Sequence, residues 1–140
     1  MATVMEKVRL DDVGQLAEGI KITPVAMEIL RMEKAIQARF DSLGDLKGSF
    51  GSLVEKEGRF WYYQHGCLHY KNADNIFEIH GDIYKKWVKL GGAGFGKPDT
   101  DELPCVDGTG RFNHFENGTK TIFWHPFTGA NAVEGDIKIR

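Results

Sequence analysis

Several things are missing from this 140-residue chain, and each absence narrows what it can be. No apolar run approaches the roughly 18 residues that a membrane-spanning helix requires, so no span is expected. The opening segment, MATVMEKVRLDDVGQLAEGI, mixes charges with short apolar pairs and lacks the hydrophobic stretch of a secretory signal. A cytoplasmic protein is therefore expected, or a secreted one if a leader has been removed. Cysteine is scarce: Cys67 and Cys105 are expected to be free, buried thiols and not a bridge. Charge of one sign is lacking too. Eighteen basic residues stand against twenty acidic ones, for a formal charge of −2, and no basic stripe is present to follow a phosphate backbone. Nucleic-acid binding is thereby disfavoured. The sequence also has no nucleophile elbow, phosphate loop or helical zinc motif. Gly92, Gly94 and Gly96 make a glycine-rich turn, not a dinucleotide fingerprint, because no strand precedes them and no helix opens after them.

What the chain does have is glycine and rings: 17 Gly, nine Phe, four Tyr and three Trp. Glycine at that level implies many turns, and aromatic side chains fill much core volume per residue. Short strands and tight loops around a ring-packed core are expected.

The glycines and rings recur in order. Ile36, Phe40, Leu43 and Gly44 match Ile83, Trp87, Leu90 and Gly91, and Phe50-Gly51 matches Phe95-Gly96. Gly58-Arg59-Phe60 and Gly66 match Gly110-Arg111-Phe112 and Gly118, and Gly81-Asp82-Ile83 matches Gly135-Asp136-Ile137. Four such matches in one order make a repeat of about fifty residues, with copies at 36–82 and 83–137. Each copy reads as a short helix, a glycine-rich turn and a β-hairpin. In the second copy Asp82 is the expected N-cap of a helix over 83–90, with Ile83, Trp87 and Leu90 on one face and Gly91 as its C-terminal cap. Asn117-Gly118 is a strong hairpin turn, and His65-Gly66 holds the same place in the first copy. At the C-terminus GDIKIR is expected to begin a third helix.

Ahead of the repeats, Thr23 and Pro24 open a predicted helix over 24–42. Val25, Ile29, Met32, Ile36, Phe40 and Leu43 form its apolar stripe, which reads either as a cap over the exposed end of the repeats or as a homodimer seam. Residues 1–22 are expected to be an arm. The fold class is therefore α+β: a long N-terminal helix followed by two tandem short-helix plus β-hairpin repeats, forming one domain over 23–140 and associating as a homodimer.

The second copy carries a more specific signature. It contains Leu90-Gly91-Gly92, Gly94-Phe95-Gly96-Lys97-Pro98, Asp101-Glu102, Asp107-Gly108-Thr109-Gly110, Phe123-Trp124-His125-Pro126-Phe127-Thr128-Gly129-Ala130 and Val133-Glu134-Gly135-Asp136-Ile137. Over 81–137 this resembles the LGFP repeat; over 36–80 the Pro, Asp-Glu and Thr-Gly-Ala elements are absent. The resemblance implies a non-catalytic module, typically found beside secreted actinobacterial enzymes and thought to hold them on cell-wall glycan.

Sugar recognition needs a flat ring for the C–H face and planar polar groups for the hydroxyls. Alternate residues of an aromatic strand should point outward. Trp61, Tyr63 and Trp124 are the expected platforms, and Glu102, Asp107 and His125 the polar partners. The alternative is a small dimeric enzyme acting on a hydrophobic metabolite in an aromatic-lined pocket, with His65, His69 or His125 and Asp107 or Glu102 as acid–base residues. No cofactor is expected. A metal is disfavoured because His65 and His69, four apart, flank a hairpin turn where the helical zinc spacing does not apply.

Overall fold

The computed structural model describes residues 23–134. The expected N-terminal arm and third helix lie outside the described residues. Thr23 caps the first helix, α1 (Pro24–Asp41), in extended conformation, and its side chain accepts a hydrogen bond from the Ala26 N–H at 3.1 Å, with Pro24 at the first helical position. A one-turn helix, α2 (Leu46–Phe50), follows. Four short strands then form an antiparallel sheet in chain order: β1 (Leu53–Glu57), β2 (Phe60–Tyr63), β3 (Gly66–Asn72) and β4 (Asn75–His80). The chain passes from β4 into α3 (Gly81–Lys89) and a 3₁₀ turn at Gly92–Gly94. A second antiparallel sheet in chain order closes the described segment: β5 (Leu103–Pro104), β6 (Arg111–Phe115), β7 (Lys120–His125) and β8 (Gly129–Glu134). The architecture is α+β. No helix among the described residues is long and apolar enough to cross a membrane.

The two sheets share one core. Phe60, Cys67 and Ile79 of the first sheet, Ile83 and Trp87 of α3, and Phe115 and Ile122 of the second form a single buried cluster. Trp87 is wholly buried, and its indole N–H donates to the Gly96 carbonyl at 2.8 Å. Each large apolar side chain so buried is worth about 2 kcal/mol. The contacts of α3 with both sheets thus fix one against the other. The opposite face of the first sheet carries a second cluster, where Trp61, Tyr63, Leu68 and Ile76 pack with Ile36 of α1 and Phe50 of α2. Helices therefore cover the first sheet on both faces. Both cysteines are buried and free, as read from the sequence.

Two local expectations are corrected. The helix α3 starts at Gly81 with His80 in the capping position, so Asp82 lies inside the first turn, where its carboxylate still complements the helix dipole. Gly91 does follow the helix with φ of 117°, as its place in the pattern requires. The apolar stripe of α1 divides: Ile36 is fully buried, whereas Val25 and Ile29 are 66% and 44% exposed. Met32, Phe40 and, just past the helix, Leu43 pack partly buried against the sheet's second cluster, whereas in the first turns of α1 it is Ala26 and Leu30, off the expected stripe, that are buried.

Candidate functional site

Two turns emerge from the same end of the second sheet, joining β5 to β6 and β7 to β8. In the first, the Asp107 carboxylate accepts hydrogen bonds from the backbone N–H of Thr109 at 2.9 Å and of Gly110 at 3.0 Å. These two bonds, Gly110's the stronger, hold the carboxyl below its ordinary range, and the nearby His125 acts in the same direction. Gly110 cannot carry a side chain, since a Cβ would lie 2.8 Å from the Cys105 sulfur and 3.2 Å from the Trp124 carbonyl. The loop is thereby folded down over β7, and its Asp107 faces His125.

His125 ends β7. Its Nδ1 accepts the Phe127 backbone N–H at 3.3 Å, which leaves the proton of a neutral ring on Nε2, 3.5 Å from Asp107 Oδ2. The bond also turns the chain so that Phe127 projects outward, 91% exposed, with its ring 5.3 Å from the His125 ring. Val106, 75% exposed, rises from the neighbouring loop. The result is an apolar ring flanked by an imidazole and a carboxylate, all at one end of a rigid sheet.

The structure brings together Asp107 and His125 from the expected set and distributes the others. Trp124 adjoins them in sequence but points to the opposite face of β7, half-buried against the central core. Trp61 and Tyr63, expected as outward platforms, are 3% and 4% exposed. That expectation is corrected. Alternation along β2 does turn successive rings to opposite faces, but α1 and α2 cover the face that these two occupy. Lys56 lies 4.3 Å over the Trp61 ring, and Tyr63 stacks on Phe40 at 4.7 Å. Burial pushes the Tyr63 hydroxyl up to about 12. Phe127 itself was not among the expected residues. Its signal was a large apolar residue inside a Pro-x-Thr-Gly turn, where no strand can bury it.

Glu102 belongs to a different cluster, between the sheets. There His80 Nδ1 lies 2.8 Å from the Glu78 carboxylate, and its Nε2 lies 3.5 Å from Glu102. The Glu102 backbone N–H donates to Glu78 at 3.1 Å. The hydrogen bond to Glu78 raises the His80 pKa against the opposing effect of burial, while burial raises that of Glu102. Around this group the free edge of β4 is closed by side chains. Asp101 accepts the Glu78 N–H at 3.0 Å, Asn113 donates to the Glu78 carbonyl at 3.1 Å, and Arg39 donates to the Ile76 carbonyl at 3.0 Å. Arg39 and Asp101 also pair at 2.7 Å. An edge strand presents unpaired backbone groups, and here three polar residues from three other segments satisfy them. Glu78, a charge inside the apolar run IFEIH, was the sequence signal for this clasp.

Of the remaining histidines, His65 is exposed and His69 buried. Among the described residues, no three His, Cys, Asp or Glu side chains are grouped so as to hold a metal ion.

Residues 95–140 match the family model of the LGFP repeat, so this part of the chain carries an LGFP repeat. The matched segment contains Glu102, Asp107, Trp124, His125 and Phe127, and excludes Trp61 and Tyr63. No curated protein matches the chain.

Proposed function

We propose that this protein is a non-catalytic glycan-binding module of LGFP-repeat type, and that it binds sugar at the Phe127 end of its second sheet. The exposure of Phe127 is the observation that carries this reading. Leaving a phenyl ring in water forgoes about 2 kcal/mol of burial, and nothing in the packing requires it there. A pyranose laid on that ring would present hydroxyls toward Asp107 and His125. Trp124 acts from behind the site by anchoring the end of β7 in the central core, and Glu102 acts at a distance by helping to clasp the sheets.

The same reading treats 36–82 and 83–137 as copies of one unit within a single domain over 23–140. Equal sheet topology supports it, as does the placement of a helix before each sheet. The Asp101-Glu102 element supports it further: these residues clasp the edge of the preceding sheet, and the first copy, which has no preceding sheet among the described residues, lacks them. On this reading the C-terminal half of α1 is the terminal cap. A homodimer seam along its exposed Val25 and Ile29 completes the proposal; a sedimentation coefficient that Val25→Ser with Ile29→Ser leaves unchanged would count against that seam.

Affinity electrophoresis in gels containing soluble polysaccharides tests the central claim. The wild type is expected to be retarded by at least one of them. Phe127→Ala is expected to weaken binding about tenfold, the equivalent of about 1.4 kcal/mol, with no change in thermal midpoint. Retardation that survives this substitution undiminished, or that no polysaccharide produces, refutes the assignment. The enzyme reading would require acid–base residues converging in an enclosed pocket. His125 and Asp107 meet instead beside a solvent-exposed turn, and of the carboxylates around His80 that of Glu78 already accepts the Glu102 backbone N–H.

A further inference from the structure

The end of the first sheet that corresponds to the Phe127 end of the second does not face open solvent alone. It meets the β6–β7 turn of the second sheet across a groove of about 350 Å³. Arg59, from the β1–β2 turn, and Lys71, from the end of β3, line one side, and Lys97 lines the other. Arg59 is held in place: it donates to the Lys71 carbonyl at 3.2 Å, and its guanidinium lies 5.4 Å from the centre of the Tyr70 ring. Lys71 and Lys97 form no ion pair among the described residues. The groove's two acids accept backbone N–H groups, Asp99 from Gly118 at 2.8 Å and Glu116 from Lys97 at 2.9 Å, so the lining sets three cations against two carboxylates whose bonds hold them in place.

His69, also lining the groove, is 4% exposed and stacks on Phe60 at 4.3 Å; its Nδ1 is buried without a partner. Burial pushes this histidine down to about 4, and Lys97, Arg59 and Lys71 each push in the same direction. Three cations therefore act together on one dry, neutral ring. Like charges gathered at a concave surface raise the local potential and attract an anion. The volume is near the lower end of the roughly 300–1,000 Å³ range of ligand pockets, which suits one sugar unit.

We infer that this groove is a second subsite, which takes an anionic sugar unit bearing a carboxylate or a phosphate ester. The inference rests on the glycan-binding reading and deepens it: the ligand would be an acidic glycan, held by its charge at Arg59, Lys71 and Lys97. Calorimetric titration of the full chain tests it with four probes: a galacturonate oligomer, a neutral galactose oligomer of equal length, a hexose phosphate and inorganic phosphate. At least one of the two charged sugars is expected to bind about tenfold more tightly than the neutral oligomer, with the advantage shrinking as salt is raised. Lys71→Ala with Lys97→Ala, both at exposed positions, is expected to abolish that advantage and leave the circular dichroism unchanged. Phe127→Ala is expected to leave the ratio of charged to neutral binding intact. Equal affinity for charged and neutral sugars overturns the inference, as does a preference that survives the double substitution. Inorganic phosphate binding as tightly as the sugars overturns the sugar half of it. The two readings fail separately. Neutral binding lost in Phe127→Ala without any charge preference sinks only the groove, and charge-dependent binding indifferent to Phe127 sinks only the assignment of the Phe127 end.

Discussion

Acid is expected to destabilise this protein from within the first sheet, through His69. The folded state holds this imidazole neutral down to about pH 4, because its ring is buried against Phe60 and faces Lys97, Arg59 and Lys71. In the unfolded chain the same ring titrates near its ordinary value of about 6.5. As pH falls below that value, the unfolded state takes up a proton that the folded state refuses, and stability drops until the folded pKa is passed. Above about pH 6.5 the contribution is fully present. Between there and about 4 its loss amounts to roughly 3 kcal/mol, from 1.36 kcal/mol for each pH unit separating the two values. Urea unfolding followed by tryptophan fluorescence across this range, for the wild type and for His69→Phe, isolates the effect. The phenyl ring can keep the stack on Phe60 while removing the titration. Asp99 and Glu116, which line the same groove, are common to both proteins, so their contribution largely cancels in the difference. The gap between the two stability curves is expected to change by roughly 3 kcal/mol between pH 7 and pH 4. Curves that stay parallel over the whole range would show that His69 is not held neutral by its surroundings, and the reasoning would fail.

His80 has the opposite sign. Its pKa is raised by the hydrogen bond to Glu78, so its contribution is complete below about pH 6.5 and fades as pH rises through the folded value; a Glu78→Gln variant is expected to lose that alkaline limb in the same urea assay. Glu78→Ala, which strips the clasp of its central carboxylate, is expected to cost about 3 kcal/mol at neutral pH in thermal or urea unfolding. Trp87→Ala empties the core shared by both sheets and is expected to cost about 3–5 kcal/mol, whereas Trp87→Phe, losing mainly the bond to the Gly96 carbonyl, is expected to cost about 1–3 kcal/mol. Gly110→Ala forces a methyl group against the Cys105 sulfur and the Trp124 carbonyl; it is expected to lower glycan retardation by displacing Asp107, and unchanged retardation would separate that loop from the site.

How much of this was legible in the sequence depended on the distance over which each feature is determined. Thr23-Pro24, the Ile83–Trp87 face of α3 and the β6–β7 turn are set by residues a few positions apart, and periodicity finds them. Trp61 and Tyr63 are not of that kind. Alternation in β2 says only that neighbouring rings take opposite faces; whether a face is wet depends on α1 and α2, which return to cover it. The expected site failed there because one face of the strand was assumed to be free. The matched glycines show the same limit. Gly118 has a φ of 81° in its turn, whereas Gly66 is needed because a Cβ would lie 2.7 Å from the Ile79 carbonyl. One letter in one register serves two physical purposes, and only the packing distinguishes them.

The loops account for where a binding surface can arise. At the equivalent end of the first sheet, β1 and β2 are joined through Gly58 and Arg59 alone, and β3 and β4 through Ala73 and Asp74. In the second sheet the corresponding connections run from Cys105 to Gly110 and from Pro126 to Thr128. These two additions fall at the same end and carry Val106, Asp107 and Phe127, while the β6–β7 connection, Glu116 to Thr119 against Gln64 and His65 in the first sheet, is longer at the other end. Strands and helices can absorb little extra chain without disturbing the shared core, whereas turns at the rim can. If the two units are copies, the difference between them is concentrated where it costs the fold least. In the first sheet the short turns leave room for the β6–β7 turn of the second, and charge from both sides lines the groove between them. In the second sheet the long turns stand clear of the core, with an aromatic ring in water. The scaffold is common to both ends and the chemistry is not, so on the proposed reading a ligand that spans them is apolar-faced at one end and anionic at the other.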